Sequence, residues 1–319
     1  MRAPARRLRR KMLIVVNPYA TTVSDRLKNL VVYALQGRYD VEAVITESQN
    51  HATEISREAR DGGYDLVVAF GGDGTLNEVA NGLAGTDVPI SVLPGGSTNV
   101  VARSLGIPND VVDATEHLLK MADDFEPRRI DTGRVNGKHF VFACGAGLDA
   151  TAAKRVDSRP RLKARFGPYW YIYAALTGFY RQYLRDPIVM HVDAEGQEAE
   201  GVTAICQNSD PFTYYRSVPL RVCEEIAIDD GTLGLAVLRR AAQRDMPMVA
   251  ARVLSEGLRL SRSRQIDHFS GLREADIDSI SPDSEGVLRR FPVQVDGDYI
   301  GDHTELELRV DAGALTVVA

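Results

Sequence analysis

A strand that runs into glycines and then into a helix constrains the fold of this chain more than any other feature. The segment AFGGDGTLNEVANGL, residues 69–83, joins an apolar strand to a helical apolar repeat through a glycine-rich turn. Glycine lets the backbone approach a ligand closely, and a helix start presents unpaired N–H groups, so this arrangement is typical of an anion-binding turn. Asp73 would repel a bare anion, which predicts a magnesium–nucleotide complex or a directed hydrogen bond. The structural alternative is an ordinary glycine turn capped by Asp73 or Thr75.

The same device recurs at SVLPGGSTNVVARSLGIP, residues 91–108. Turns at the ends of successive parallel strands lie side by side at the carboxyl edge of the sheet, where ligands of open α/β sheets bind. Asn17 and Pro18, which end the first apolar run, are expected at the same edge. Neither a G-x-x-x-x-G-K-[ST] loop nor a G-x-G-x-x-G fingerprint occurs, which excludes the usual P-loop and dinucleotide patterns. We therefore predict three strand ends that converge on one ligand.

The first part of the chain alternates strands with helices. MLIVVNP, DVEAVIT, YDLVVAF and PISVLP are apolar on both faces, as the covered strands of a parallel sheet are, and helical spacing separates them. We predict a basic tail at residues 1–11 and a nucleotide-binding α/β domain at 12–130. The tail could dock on anionic headgroups or be disordered.

The second part, residues 131–319, has the texture of antiparallel β structure. Asn136-Gly137 stands between two alternating runs and indicates a hairpin, and similar turns are predicted at Asp230-Gly231 and Asp296-Gly297. Helical stretches are expected near 163–184 and 244–260. The aromatic-rich stretch at 165–184 suits either a membrane-interfacial element or packing against the sheets, and both interpretations stay open.

Composition limits the classes of partner. The chain has 319 residues and 44% apolar residues, enough for two domains, and its net charge of −6 gives no global attraction to nucleic acid. Three cysteines without C-x-x-C spacing favour a reducing, cytoplasmic setting over a disulfide framework or a zinc site. No segment approaches the roughly 18–20 apolar residues of a spanning helix, so we expect a soluble or peripheral protein.

GGDGTLNEVANGL together with LPGGSTNVVARSLGIP resembles the catalytic domain of the diacylglycerol kinase family, in the soluble bacterial branch related to sphingosine and ceramide kinases. FVFACGAGLDA, residues 140–150, is similar to the strand that enters the family's second domain, and VQVDGDYIG resembles its terminal motif. The resemblance implies an N-terminal α/β domain with a parallel sheet, of the NAD kinase and diacylglycerol kinase type, followed by a mainly antiparallel β-sandwich domain that binds lipid. The domain boundaries implied by the resemblance leave open whether the final strand returns to the first domain. The implied cofactors are ATP and Mg²⁺, and the implied partner is a lipid at the inner face of the cell membrane, with a homodimer left open.

By matching position, the resemblance also implies site residues. The nucleotide would contact Asn17, Pro18, Thr46, Gly71, Gly72, Asp73, Gly74, Thr75, Glu78, Gly95, Gly96, Thr98 and Asn99. Asp230 would bind Mg²⁺ together with the backbone carbonyls of Ala227 and Thr232. Asp73 and Asp298 are the implied catalytic residues, with Asp298 as the base that takes the proton of the lipid hydroxyl.

Two departures from the family pattern bear on these assignments. The family usually has Glu where this chain has Asp298, so the carboxylate is one methylene shorter, and Asp296 is the alternative base. Tyr19 and Ala20 follow Asn17-Pro18 where the family more often has Ser-Gly and a nearby Lys, which weakens the predicted phosphate contacts of that loop.

The leading hypothesis is ATP-dependent phosphorylation of a lipid hydroxyl, with diacylglycerol converted to phosphatidic acid. A sphingoid base or another lipid alcohol is the next candidate acceptor. An NAD kinase shares the GGDGT turn but is disfavoured because LPGGSTN matches the lipid branch. A catalytically silent nucleotide- or lipid-binding protein is the alternative from another class.

Overall fold

The chain folds into two compact units. The computed structural model describes residues 9–159, 162, 168–215, 217–253 and 259–319. The first unit comprises residues 1–129 with 315–319, and the second comprises residues 130–314. The first eight residues, which hold most of the predicted basic tail, lie outside the described part. Among the described residues, no helix has both the length and the apolar character that crossing a membrane requires.

The first unit is an α/β domain with parallel strands, as predicted. Its elements in chain order are β1 (Lys11–Val16), α1 (Asp25–Leu35), β2 (Asp40–Ile45), α2 (His51–Ala59), β3 (Leu66–Gly71), α3 (Asp73–Leu83), β4 (Ile90–Pro94), α4 (Val100–Ser104) and α5 (Val111–Met121). The strand order is β2-β1-β3-β4, with parallel pairing throughout. The strand β1 begins at Lys11, within the segment predicted as a tail. Its neighbour Arg10 packs its guanidinium over the ring of Phe125 at 4.2 Å.

The expectation that all four strands are covered on both faces is wrong for β2. The central strand β3 is buried along its whole length, whereas β2 is exposed or half-buried at every residue. Ile45 is 41% exposed. The strand β2 lies at the edge of the sheet and pairs with β1 on one side. In the sheet order of the described residues its other side has no neighbouring strand, so its residues are more accessible to solvent than those of a central strand.

The second unit is built from two antiparallel sheets. Its elements are β5 (Arg128–Val135), β6 (Lys138–Phe140), β7 (Ala143–Gly147), α6 (Leu148–Asp157), α7 (Pro168–Gly178), a π-helical turn (Phe179–Tyr183), β8 (Met190–Ala194), β9 (Gln197–Gly201), β10 (Thr203–Gln207), β11 (Thr213–Tyr215), β12 (Val218–Leu220), β13 (Leu233–Leu238), α8 (Met246–Val253), a 3₁₀ turn (Leu260–Arg262), β14 (Ile266–Leu272), β15 (Glu274–Ser279), β16 (Phe291–Val295), β17 (Asp298–His303) and β18 (Glu305–Val317). One sheet has the order β14-β13-β10-β7-β16-β17, and the other contains β18-β15-β8-β9. A single apolar cluster takes side chains from both sheets, among them Met190, Leu235 and Phe291. Two sheets that share one core form a sandwich, which confirms the predicted fold class.

Two of the three predicted hairpin turns are present. Asn136-Gly137 joins β5 to β6 with φ angles of 46° and 84°, and Asp296-Gly297 joins β16 to β17 with φ angles of 49° and 87°. Both have the pair of positive φ angles that matches the twist of a two-residue hairpin. The predicted turn at Asp230-Gly231 is wrong as a hairpin, because it lies in an irregular loop before β13. The strand β13 pairs instead with β10 and β14.

Both predicted helical stretches contain helices in the part of the chain that the structure describes. The first contains α7 and the π-helical turn, and residues 163–167 of the prediction lie outside the described residues. The second contains α8, with residues 254–258 likewise outside.

Candidate functional site

The two glycine loops of the first unit are in direct backbone contact. The strands β3 and β4 are neighbours, with Gly71 opposite Pro94, and the Gly95 N–H donates to the Gly71 carbonyl at 2.7 Å. A Cβ atom added to Gly96 would lie 2.8 Å from the Cα atom of Gly72. Only glycine permits this approach, since real Cβ atoms do not come so close to a backbone atom. The predicted juxtaposition of the two loops at the carboxyl edge is therefore present.

Asn17 brings the end of β1 to the same edge. Its N–H donates to the Phe70 carbonyl at 2.9 Å, and its side-chain amide donates to the Thr75 hydroxyl at 3.0 Å. The Thr75 hydroxyl in turn fills the space beside Gly71. A Cβ atom added to Gly71 would lie 2.3 Å from the Thr75 hydroxyl oxygen. Three strand ends thus converge, as the sequence predicts. Pro18 and Tyr19 follow as exposed residues.

Asp73 and Asn99 connect and shape the two loops. Asp73 is the first residue of α3, and its carboxylate accepts a hydrogen bond from the Val101 N–H at 3.3 Å. Asn99 is buried and left-handed, with φ 47°. Its side chain accepts from the Gly96 N–H at 3.0 Å and donates to the Gly96 carbonyl at 3.0 Å. The side chains of Asp73 and Asn99 thus form hydrogen bonds within the protein, in addition to any contact with a ligand. Two further predicted site residues, Gly74 and Thr98, are half-buried.

Glu78 contacts a neighbouring helix. Its carboxylate accepts hydrogen bonds from the backbone N–H groups of Asn50, at 2.9 Å, and Ala52, at 3.0 Å. Because these N–H groups lie at the start of α2, the carboxylate satisfies donors that a helix leaves unpaired. Thr46, just beyond β2, is buried and donates its N–H to the Val16 carbonyl at 2.8 Å. Sequence reasoning missed the capping role of Glu78.

In the second unit, the neighbouring acids Asp296 and Asp298 have different surroundings. Asp296 is 4% exposed. Its carboxylate accepts hydrogen bonds from the backbone N–H groups of Val141, Phe142 and Ala143 at 2.8, 3.0 and 3.1 Å. Asp298 is half-buried at the start of β17. Asp296 therefore anchors the bend between β6 and β7.

Gln294 fixes the turn that precedes Asp298. It donates to the Asp149 carboxylate at 2.9 Å and accepts from the Gly297 N–H at 2.7 Å. On the other side of Asp298, the Tyr299 N–H donates to Asp157 at 3.0 Å. Sequence reasoning missed these supports, although a polar Gln294 inside the apolar strand FPVQV was an available signal, since a buried polar side chain requires partners.

The loop around Asp230 closes on the aspartate. The carboxylate accepts from the Ala227 N–H at 2.8 Å, from the Thr232 N–H at 2.9 Å and from the Thr232 hydroxyl at 2.8 Å. The described residues contain no group of three His, Cys, Asp or Glu side chains that could hold a metal ion. One carboxylate with backbone carbonyls and water is nevertheless an oxygen donor set that suits Mg²⁺, so the residues fit the ion.

A depression of about 660 Å³ in the first unit lies away from the glycine loops. It is lined by residues that precede β3 and β4, including Tyr64, Asp65 and Pro89. It therefore belongs to the amino edge of the sheet and includes none of the predicted site residues.

Comparisons with known proteins identify the family. Residues 11–135 match the model of the diacylglycerol kinase catalytic domain. The chain is 31% identical to the diacylglycerol kinase of Bacillus subtilis strain 168 over 226 residues, which cover 69% of this chain and 70% of that one. It is also 31% identical to a diacylglycerol kinase of Staphylococcus epidermidis over 172 residues, about half of each chain.

Solved structures support the fold. A crystal structure of a diacylglycerol kinase from Bacillus anthracis strain Sterne matches with a TM-score of 0.70 and 21% identity, covering 97% of this chain and 96% of the other. Another crystal structure from the same strain matches with a TM-score of 0.73 at 23% identity, with the same coverage. The family match, the relative from Bacillus subtilis and the paired glycine loops lead to one conclusion: this chain belongs to the diacylglycerol kinase family and is a lipid kinase.

Proposed function

We propose that the protein transfers the terminal phosphoryl group of ATP, in the presence of Mg²⁺, to the free hydroxyl of diacylglycerol and so forms phosphatidic acid. The relatives that carry this activity in their names motivate the choice of acceptor. We further propose that the protein works in the cytoplasm and associates peripherally with the inner face of the membrane, where such a substrate resides.

The contact between the two glycine loops carries the proposal. The Gly95 to Gly71 hydrogen bond and the close approach of Gly96 to Gly72 bring the two loop backbones together at the carboxyl edge. The helix α3 begins in the first of these loops, and the N–H groups and positive dipole end of its first turn favour a phosphate group there. The nucleotide contacts proposed for Asn17, Pro18, Thr46, Gly71 to Thr75, Gly95, Gly96, Thr98 and Asn99 follow from this edge.

Glu78 has a different part in this proposal. Its two carboxylate oxygens accept N–H groups at the start of α2. We therefore propose that Glu78 supports the nucleotide-binding edge by holding the start of α2 against α3. Direct contact with the nucleotide is the weaker assignment for this residue.

Asp298 is the proposed base. A new bond forms between the lipid oxygen and the phosphorus atom, the bond between that phosphorus and the bridging oxygen of ADP breaks, and the hydroxyl proton passes to the Asp298 carboxylate. The alternative base, Asp296, suits this role less because three backbone N–H groups occupy its carboxylate. Asp73, which lies in the glycine turn, is the second proposed catalytic residue.

Mg²⁺ bound to the second unit would be held by the Asp230 carboxylate and by the carbonyl oxygens of Ala227 and Thr232. When bound, the ion would supply positive charge to the loop. In the protein alone, Asp230 already organises the loop through its three hydrogen bonds.

An assay with several acceptors tests the proposal. The purified chain would be incubated with labelled ATP and Mg²⁺ and, in separate reactions, with diacylglycerol in mixed micelles, sphingosine and NAD. We expect label in phosphatidic acid. Label in sphingosine phosphate or in NADP would replace the acceptor, and nucleotide binding without any labelled product would contradict the assigned transfer reaction.

A further inference from the structure

A small cavity in the second unit is lined by arginines and aromatic rings. It has a volume of about 140 Å³ and lies between α6, α7 and the π-helical turn. We call it the arginine cavity, and its lining includes Arg155, Ser158, Arg159, Trp170, Tyr173 and Arg181. None of the nucleotide, metal or base candidates described above lines it.

The cavity is suited to a small anion. The described residues of its lining contribute three guanidinium groups and no carboxylate, in a chain whose net charge is −6. Among the described residues, neither Arg159 nor Arg181 forms an ion pair, and Arg155 donates to the Thr177 hydroxyl. The volume is well below the roughly 300 Å³ at which drug-sized ligand pockets begin, so the cavity fits a phosphate group better than a nucleotide.

Trp170 adds a donor at the same place. Its indole nitrogen is buried and has no hydrogen-bond partner among the described residues. A buried N–H group without an acceptor is uncommon in proteins and indicates a missing partner. An oxyanion in the arginine cavity would supply acceptor oxygens both to the guanidinium groups and to the indole.

An exposed apolar stripe adjoins the cavity. Tyr173, Leu176 and Tyr180 are 54%, 53% and 50% exposed and follow one another on successive turns of α7 and the π-helical turn. Tyr173 also stacks on Trp170, with ring centroids 5.3 Å apart. Aromatic rings with a polar tip favour the headgroup layer of a bilayer, and arginines there attract anionic lipids. A soluble anion would account for the arginines but not for the adjacent stripe.

We propose that the arginine cavity binds the phosphate of an anionic phospholipid and that the stripe of Tyr173, Leu176 and Tyr180 lies in the headgroup layer. This surface would dock the enzyme on anionic bilayers. The inference rests on the proposed function only in that it brings the enzyme to a lipid surface, and the docking lipid is not the phosphoryl acceptor.

Vesicle binding without ATP tests the docking surface directly. The full chain would be sedimented with vesicles of phosphatidylcholine, alone or mixed with phosphatidylglycerol. We expect binding to the anionic vesicles only. The double variant Arg159→Ala with Arg181→Ala should lower the partition coefficient roughly thirtyfold, since each arginine near an anionic surface contributes about a fivefold factor. Arg155 is left intact because its bond to Thr177 supports the packing of α7.

The matched control is the double variant Arg273→Ala with Arg290→Ala. Both arginines are exposed residues of the same unit that do not line the cavity, and the change in net charge is the same. The control should bind anionic vesicles like the wild type. Equal losses of vesicle binding in both double variants would show that net charge alone causes the effect, and this result would overturn the proposal. An unchanged partition coefficient in the first variant would overturn it as well.

Trp170 reports on the site because it is the sole tryptophan of the chain. Anionic vesicles should shift its emission to the blue and protect it from acrylamide, and neutral vesicles should not. Inorganic phosphate that gives the same protection without vesicle binding would assign the cavity to a soluble anion and overturn the docking role. Arginine-dependent vesicle binding by a protein that phosphorylates no acceptor would leave the docking site intact and reject the proposed function alone.

Discussion

Asp296 and Asp298 stand two positions apart in one hairpin, but their neighbours give them different tasks. The carboxylate of Asp296 is buried and accepts three backbone N–H groups, whereas Asp298 is half-buried beyond the turn. A buried carboxylate whose oxygens accept several N–H groups stabilises the fold, and those bonds compete with any contact to a substrate hydroxyl. The two residues should therefore be separable by substitution.

Asp298→Asn is expected to lower kcat roughly a hundredfold to ten-thousandfold, the usual contribution of a general base. The midpoint of urea unfolding should stay near the wild-type value. Asp298→Glu keeps a carboxylate and should retain substantial activity. Steady-state kinetics with diacylglycerol micelles, together with urea titrations, measure both effects, and a fully active Asp298→Asn enzyme would reject Asp298 as the base.

Asp296→Asn should have the opposite profile. Replacing one charged oxygen by an NH₂ group removes acceptors from buried backbone donors, so we expect a loss of about 2–4 kcal/mol in the free energy of unfolding. The fraction that remains folded should keep most of its kcat. Unchanged stability in this variant would mean that the hydrogen bonds to Val141, Phe142 and Ala143 do not anchor the bend.

The three cysteines also show how surroundings determine chemistry. All three are free and buried. Burial raises the pKa of the Cys206 thiol to about 12, and it raises the pKa values of Cys144 and Cys223 in the same direction. A thiol that stays protonated is a weak nucleophile and metal ligand. Cys144 and Cys206 pack in the apolar cluster between the two sheets, and Cys223 packs in a second apolar cluster with Tyr183 and Leu238.

At the scale of the secondary-structure elements, the contact between the two glycine loops is the feature on which the proposed nucleotide binding depends. Each loop ends one strand of the pair β3 and β4, and Asn99 holds the second loop through two bonds to Gly96. The spacing between the loops depends on glycine because backbone approaches backbone. A single methyl group is therefore a sensitive probe of the proposed site.

Gly96→Ala is expected to raise the KM for ATP at least tenfold and to destabilise the chain by about 1–3 kcal/mol, because the new Cβ atom would lie 2.8 Å from the Cα atom of Gly72. Gly63→Ala serves as the control. Gly63 has φ +68° and open space around it, so alanine there costs about 1–2 kcal/mol of backbone strain without touching the loops. Kinetics and urea titrations of both variants should separate strain from site damage. A wild-type KM in Gly96→Ala would contradict the assignment of this edge to the nucleotide.

For the whole molecule, the last strand is the most informative element. The strand β18 begins in the second unit, and its end belongs to the first, where Val317 pairs in parallel with Ile90. Leu315, Val317 and Val318 are at most 1% exposed. The first unit thus completes its core with residues that follow almost the whole of the chain.

Removing residues 315–319 should destabilise the first unit by several kcal/mol, since burial of one large aliphatic side chain contributes about 1.5–3 kcal/mol. Removal of Ala319 alone, which is exposed, is the control and should have little effect. Thermal unfolding monitored by circular dichroism compares the two truncated chains with the full chain. An unaltered transition in the longer deletion would show that these side chains contribute nothing to the first unit.

The α/β class of the first part, the adjacency of the glycine turns and the hairpins at Asn136-Gly137 and Asp296-Gly297 could all be predicted from the amino-acid sequence. Each follows from local patterns, since apolar periodicity, helix starts and positive φ angles depend on neighbours in the chain. Three other features become visible only in the folded chain: Glu78 caps α2, Asp296 anchors a bend, and three arginines share one cavity with Trp170. Those partners are distant in sequence or lie on different elements, and a side chain's role depends on which donors and charges the folded chain brings within a few ångströms of it.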